Sequence, residues 1–85
     1  MMFITLIKFR KKARDVVEVG KKIMQNLPPN VKIIGTYWTL GRYDAAWLYE
    51  GASEKDAIKL WLDAGDVVRT ETLVTISREE AMKLL

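Results

Sequence analysis

The 85-residue chain contains no histidine and no cysteine. The lack of histidine excludes Ser-His-Asp and Cys-His catalysis, together with ordinary zinc ligation. The lack of cysteine excludes disulfides, so nothing points to an oxidising compartment. No segment approaches a membrane span, and the apolar N-terminal run is too short for a signal peptide and has no basic leader. We therefore expect a cytoplasmic protein that enters no membrane and carries no metal or other cofactor.

The excess of positive charge is mild, with a formal net charge of +3. Five basic side chains lie close together in the sequence, which are Lys8, Arg10, Lys11, Lys12 and Arg14. Such a cluster could touch phosphate, but no RNP-type or helix-turn-helix pattern accompanies it. We interpret it as the solvated end of a strand and the first turn of a helix, and we do not expect nucleic acid as a partner.

The segment 36–49 holds five of the chain's eight aromatic residues and alternates as strands do. It is interrupted at Gly41-Arg42, where glycine suits the first central position of a two-residue type II′ turn. The segment is therefore predicted to form a β-hairpin in which Leu40 pairs with Tyr43. The other predicted pairs are Thr39 with Asp44, Trp38 with Ala45, Tyr37 with Ala46 and Thr36 with Trp47.

Both faces of this hairpin are predicted to be largely apolar. One face carries Ile34, Trp38, Leu40, Tyr43, Trp47 and Tyr49, and the other carries Ile33, Tyr37, Asp44, Ala46 and Leu48. A freely solvated face should alternate to polar residues, so we expect something to pack on each side.

Hydrophobic period and capping residues define the other elements. The predicted order is a strand at 2–9, a helix at 13–27, strands at 31–40 and 43–50, a helix at 54–64, a strand at 66–76 and a short C-terminal helix. Ser53 with Asp56, and Ser77 with Glu80, resemble capping boxes for the two later helices, and Gly65 is expected to close the first of these. The two prolines at 28 and 29 end the first helix.

This β-α-β-β-α-β order is characteristic of a ferredoxin-like α+β fold, in which two helices cover one face of a four-stranded antiparallel sheet. We expect a single domain over residues 1–85. A chain of this size buries only about 60 to 65% of its unfolded surface, and the strands are apolar on both sides. A homodimer or higher homo-oligomer formed through the helix-free sheet face is therefore the expected partner arrangement.

Three segments resemble the GYD-domain family: 37–45 (YWTLGRYDA), 64–68 (AGDVV) and 70–73 (TETL). The similarity runs from Phe3 to about Ala81. The family's Gly, Tyr-Asp signature maps to Gly41, Tyr43 and Asp44, although Arg42 separates the glycine from the Tyr-Asp pair. The family is functionally uncharacterised and is similar to the dimeric α+β barrel superfamily, so the resemblance implies that type of assembly.

The wider superfamily includes cofactor-independent monooxygenases, lactone isomerases and small-molecule sensing domains of transcription regulators. By analogy, a ligand would lie between the sheet and the helices or at a subunit interface.

Charged residues of the hairpin and the last strand are the first group of site candidates. Asp44 can accept backbone amides or pair with Arg42 or Arg69, and pinning the hairpin is favoured over a role as general base or ligand-binding carboxylate. Arg69 and Glu71 share one side of a strand, where unpaired burial would be costly, so they should reach the sheet's edge, pair with one another or pair across an interface. Pairing is favoured over substrate binding.

Aromatic residues form the second group, as the wall of a pocket for a flat organic molecule, although strand aromatics are more often core or interface. No residue is assigned a catalytic role. The candidate ligand-binding residues are Tyr37, Trp38, Arg42, Tyr43, Asp44, Trp47, Arg69, Thr70 and Glu71.

Three functions fit these features. The first is a homo-oligomeric module that binds or senses a small apolar or aromatic molecule. The second is an enzyme of the cofactor-independent monooxygenase or isomerase kind, which requires polar groups to converge on an enclosed pocket. The third is a purely structural assembly protein whose aromatic face is filled by its partner.

Overall fold

The chain folds into four strands and three helices, described in a computed structural model that covers residues 1–85. The elements are β1 (Met2–Phe9), α1 (Ala13–Gln25), β2 (Lys32–Trp38), β3 (Ala45–Glu50), α2 (Glu54–Trp61), β4 (Val68–Thr75) and α3 (Arg78–Met82). This order confirms the predicted β-α-β-β-α-β arrangement with a short C-terminal helix. None of the helices combines the length and the apolar character that a membrane crossing requires.

The strands form one antiparallel sheet in the order β2-β3-β1-β4. β1 lies inside the sheet, where both its edges are paired, and this explains why its sequence is apolar on both alternations. Phe3, Thr5 and Ile7 are buried, whereas Ile4 and Leu6 between them are half-buried.

The two sheet faces differ in what packs on them. The covered face carries Phe3, Thr5 and Ile7 and lies under α1 and α2. One of its aromatic contacts is the stacked pair Phe3 and Tyr49, with ring centroids 5.5 Å apart. The open face points the other way and has no helix over it. Its apolar residues, by register, are Met2, Ile4, Leu6, Tyr37, Ala46, Leu48 and Leu73.

The central pairs of the predicted hairpin are confirmed, because Thr36, Tyr37 and Trp38 lie opposite Trp47, Ala46 and Ala45. Gly41 takes a φ of +109°, as the turn requires of it. The strands nevertheless stop at Trp38 and resume at Ala45, so a six-residue loop replaces the predicted two-residue turn.

Asp44 explains the longer loop. Its backbone N–H donates to the Ile7 carbonyl at 2.8 Å, and its carboxylate accepts the Phe9 N–H at 2.8 Å. These bonds tie Asp44 to β1, while its backbone carbonyl still accepts the Thr39 N–H at 2.9 Å, so the predicted partners Thr39 and Asp44 stay bonded although neither belongs to a strand. The predicted faces of Leu40 and Tyr43 were therefore wrong: Leu40 is fully exposed, and Tyr43 lies towards the open face beside Glu71.

An irregularity in β2 corrects a second prediction. Ile33 pairs with Tyr49, but Gly35 pairs with Leu48, so Ile34 is an extra residue between them. One inserted residue reverses the facing of everything before it. Ile33 therefore lies on the covered face with Tyr49, and the predicted placement of Ile33 and Ile34 was wrong. Gly35 leaves room for the Tyr37 phenol, which a Cβ there would strike.

Helix ends differ from prediction for local reasons. α1 ends at Gln25 rather than 27, and the Asn26 side-chain amide donates to the Lys22 carbonyl at 2.9 Å. At the start of α2 the Asp56 carboxylate accepts the Ala52 and Ser53 N–H groups at 2.7 and 3.3 Å. That helix ends at Trp61 and continues as turns, so Gly65 does not take the positive φ expected of a closing glycine.

Candidate functional site

An apolar cavity of about 190 Å³ lies between α1 and the covered face of the sheet. Twelve of its fifteen lining residues are hydrophobic. Its walls include Val16, Ile23 and Met24 from α1 and Phe9, Trp38 and Trp47 from the sheet.

Loose packing of α1 creates this cavity. The helix has a clear apolar stripe, yet none of its residues is buried; Val16, Val19 and Ile23 are only half-buried. Gly20 lies at the middle of the stripe and contributes no side chain. A Cβ built on Gly20 would lie 3.4 Å from Cζ2 of Trp47, which is an ordinary contact, so packing does not demand glycine there.

Three tryptophans line the cavity. Trp47 and Trp61 meet edge to face with ring centroids 4.9 Å apart. Trp38 stands at the rim, two-thirds exposed, with its ring edge-on to Phe9 at 5.6 Å. The cavity therefore offers flat aromatic surfaces from several directions.

A chain of hydroxyl groups holds Trp61 in place. The indole Nε1–H of Trp61 donates to the Tyr49 hydroxyl at 3.2 Å, and Tyr49 is bonded to the Thr5 hydroxyl at 2.7 Å. Thr5 in turn contacts the Thr72 hydroxyl at 2.9 Å. Thr5 and Tyr49 are fully buried, so these bonds satisfy polar groups that water cannot reach. The network fixes the orientation of one cavity wall.

A second concavity, the polar cleft, lies at the end of the sheet where β1 finishes and β4 begins. It has a volume of about 540 Å³ and is lined by Lys8, Arg42, Tyr43, Arg69, Thr70 and Glu71. By the alternation of β1, Lys8 points to the open face, away from the apolar cavity, which Ile7 and Phe9 line. The two concavities are therefore separate sites.

Tyr43 and Glu71 are joined inside the polar cleft. The Tyr43 hydroxyl donates to the Glu71 carboxylate. This hydrogen bond is the main cause that raises the pKa of Tyr43 above its ordinary value of 10.0, and nearby Arg42 and Arg69 act in the opposite direction. Tyr43 is therefore a protonated hydrogen-bond donor at neutral pH.

Asp44 lies beside the cleft, and its carboxylate binds residues of β1. In addition to the Phe9 N–H, its carboxylate contacts the Lys8 ammonium at 3.6 Å. The expectation that Asp44 accepts backbone amides and pins the hairpin agrees with these contacts, whereas its cationic partner is Lys8 rather than Arg42 or Arg69.

The nine predicted site residues divide between different places. Five line the polar cleft with Asp44 beside it, Trp38 and Trp47 line the apolar cavity, and Tyr37 is exposed on the open face. Arg69 and Glu71 form no salt bridge with each other, and Glu71 is instead bonded to Tyr43; pairing across an interface stays a prediction. The site residues predicted from the sequence did not include Lys8 and Gly20. Lys8 was assigned to the solvated basic cluster. Gly20 could have been found from its position on the apolar stripe of α1.

The element order, the antiparallel sheet and the covered face together define a ferredoxin-like α+β fold. The chain is similar in structure to FFRP-DM1, with a TM-score of 0.57 and 21% sequence identity over 89% of this chain and 100% of that one. It is also similar to the hypothetical protein PHS023 from Pyrococcus horikoshii, with a TM-score of 0.56 and 23% identity over 94% and 95% of the two chains. No protein-family model matches the sequence, and no curated protein does.

Proposed function

We propose that this protein is a homo-oligomeric module that binds or senses a small apolar or aromatic molecule in the cavity between α1 and the sheet. The observation that carries the proposal is the cavity itself, whose lining is four-fifths hydrophobic, with twelve of fifteen residues. Ligand sites in proteins are typically concave and mostly apolar with few polar groups. Here the polar lining comes mainly from Thr36 and Lys21.

The cavity volume limits the size of the ligand. Typical sites for drug-sized ligands measure about 300–1,000 Å³, whereas an apolar cavity of about 150 Å³ accepts benzene. At about 190 Å³ the cavity matches a molecule of one or two small rings. The edges and faces of Trp38, Trp47 and Trp61 suit an aromatic ring.

Gly20 supports a binding role because it keeps the space open at a cost. A glycine inside a helix is less stable than alanine by about 0.5–1 kcal/mol. A Cβ at this position would already touch Trp47, so a side chain larger than alanine would have to occupy the cavity beside the indole.

Assembly through the open face completes the proposal. The chain is too small to cover both faces of its sheet, and Tyr37 and Leu73 are exposed there in the single chain. A second copy laid on the open face would cover the apolar residues that no helix reaches. The resemblance to the GYD-domain family, which is similar to dimeric α+β barrels, is in line with this arrangement.

One structural neighbour bears on the sensing role only through its fold. FFRP-DM1 carries the name of the FFRP class of regulators. At 21% identity the likeness itself concerns the fold, so the sensing role depends on the cavity of this chain.

The enzyme alternative, a cofactor-independent monooxygenase or isomerase, would use the polar cleft. Its charged groups do converge, and the raised pKa of Tyr43 keeps its hydroxyl protonated, so Tyr43 would orient a substrate by hydrogen bonding rather than act as a base. The charged groups lie on the opposite side of the sheet from the apolar cavity, so no single pocket combines both. This separation favours binding over catalysis.

A binding experiment with benzene tests the proposal. In ¹H–¹⁵N spectra of the purified protein, we expect benzene to shift the indole N–H signals of Trp47 and Trp61 and the amides of α1. The variant Gly20→Leu, which fills the cavity, should lose these shifts. Gln25→Leu adds the same side chain at an exposed position of α1 and should keep them.

Two results of the benzene titration would contradict the proposal: no shifts in the parent protein, or shifts of equal size in Gly20→Leu.

Native mass spectrometry of freshly purified protein reports the number of subunits and any retained small molecule. A monomer without ligand would count against the homo-oligomeric part of the proposal, and an oligomer that binds no benzene would favour a structural assembly protein.

A further inference from the structure

Lys8 and Arg69 are direct cross-strand partners in the pairing of β1 with β4. Like charges placed opposite each other on neighbouring strands destabilise a sheet. Only Lys8 has an anionic neighbour within ion-pair distance, Asp44 at 3.6 Å. The sheet therefore carries an unfavourable pair at this point that a further negative charge would relieve.

The neighbours of this pair do not supply that charge. Arg42 adds a third cation from the loop, and neither Arg42 nor Arg69 forms a salt bridge. Glu71, the only carboxylate in the lining, is held by the Tyr43 hydroxyl. With Asp44 included, three cations face two carboxylates, which leaves one positive charge in excess.

We propose that the polar cleft binds a small oxyanion, a carboxylate or a phosphate, between Arg69, Arg42 and Lys8. Guanidinium groups match the paired oxygens of carboxylates and phosphates, and their hydrogen bonds to these anions are strong. The bound anion lies against the like-charged Lys8 and Arg69 pair and offsets its repulsion. The cleft volume of about 540 Å³ leaves room for the body of the molecule that carries the anionic group.

Tyr43 acts as a positioning residue in this site. Its hydrogen bond keeps the Glu71 carboxylate away from Arg69, two residues along the same strand face. Without the hydroxyl, Glu71 would be free to pair with Arg69 and compete with the anion. Removing the hydroxyl changes no charge, so it separates a built site from a general attraction of anions to a basic surface.

The site lies on the opposite side of the sheet from the apolar cavity, so its test is independent of the benzene experiment. It lies on the open face, where a second copy is proposed to pack, so native mass spectrometry of the same sample reports the number of subunits beside each titration. Phosphate and acetate are titrated separately into the full chain and followed by ¹H–¹⁵N spectra, with sodium chloride adjusted to hold the ionic strength constant. We expect saturable shifts at the backbone amides of residues 8, 42, 43 and 69–71. The anion that saturates at lower concentration identifies a phosphate or a carboxylate ligand.

Three variants decide the outcome. Arg69→Gln should weaken binding about tenfold, the value of one charge-assisted hydrogen bond. Tyr43→Phe should weaken it severalfold with no change in net charge. Arg14→Gln removes an exposed cation of α1 outside the cleft and should leave the affinity within about twofold of the parent, as screened charges outside the site contribute little.

The proposal is overturned if neither anion gives saturable shifts, or if Arg14→Gln weakens binding as much as Arg69→Gln does. It is also overturned if Tyr43→Phe binds as tightly as the parent. The same spectra report whether each variant is folded, because a folded chain keeps its dispersed amide signals.

Discussion

Gly20 of α1 lies directly over Trp47 of β3, at a distance where a methyl group would just touch the indole: a Cβ on Gly20 would be 3.4 Å from Cζ2. This distance describes how far α1 lies above the sheet at the centre of the apolar cavity. The space between Gly20 and Trp47 has room for one methyl group. This spacing of α1 from the sheet leaves the apolar cavity, and no residue of α1 has a positive φ.

The first prediction concerns stability at this position. Gly20→Ala should raise the free energy of unfolding by about 0.5–1 kcal/mol, because alanine loses less backbone entropy on forming a helix and its methyl group fits. Urea denaturation measures the change. A decrease would mean that α1 lies closer to Trp47 than this geometry describes.

The second prediction concerns the buried hydroxyl chain. Thr5→Val keeps the shape of the side chain but leaves the Tyr49 hydroxyl, which is fully buried, without the partner at 2.7 Å. The loss should lower the free energy of unfolding by about 1–3 kcal/mol. Thr70→Val, at an exposed position of β4, serves as the control and should stay within about 0.5 kcal/mol. Equal effects of the two substitutions would contradict a stabilising role of the network.

The third prediction concerns pH. The hydrogen bond to Glu71 raises the pKa of Tyr43 in the folded chain, so the bond stabilises the fold below the ordinary tyrosine value of 10.0. That contribution is lost as the pH rises through the folded-state pKa. Comparison of the parent with Tyr43→Phe at several pH values should show a stability difference that is constant at neutral pH and shrinks in strongly alkaline solution.

NMR of ¹³C-labelled tyrosine provides the direct check of that pKa. Glu71→Gln should return the Tyr43 titration towards its ordinary range, because the carboxylate is the first cause of the shift. A titration midpoint unaffected by Glu71→Gln would show that the two side chains are not bonded in solution.

The fourth prediction concerns assembly. Leu48 lies on the open face between the partners Ile4 and Gly35, so Leu48→Lys would place one charge from each copy into an interface formed there. Native mass spectrometry should then report monomers where the parent forms oligomers. Ile58→Lys alters an exposed apolar residue of α2 and should leave the subunit number unchanged. Circular dichroism verifies that both variants are folded, and an unchanged oligomer of Leu48→Lys would place the interface elsewhere.

Much of the fold could be predicted because its signals are local. The order of strands and helices follows from hydrophobic period, and the starts of the helices follow from Ser53 with Asp56 and Ser77 with Glu80. The central pairs of the hairpin could be counted outward from Gly41, since glycine alone tolerates its positive φ at little cost.

The sites depended on contacts between residues far apart in the chain. Tyr43 meets Glu71 because Asp44 binds the backbone of β1 and draws the loop towards the open face. Lys8 meets Arg69 only once β1 and β4 are paired in register. The sequence patterns of the loop and of the two strands do not predict these contacts between distant residues.

The amino-acid sequence by itself determined which segments become strands and helices, and that the inner strand β1 is apolar on both alternations, because period and capping act within a few residues. Only the tertiary structure decided where side chains point after the extra residue Ile34, how far α1 stands from the sheet, and which charges meet at its end. The physical reason is that side-chain direction reverses with a single inserted residue, and the hydrogen bonds that fix register join strands distant in sequence.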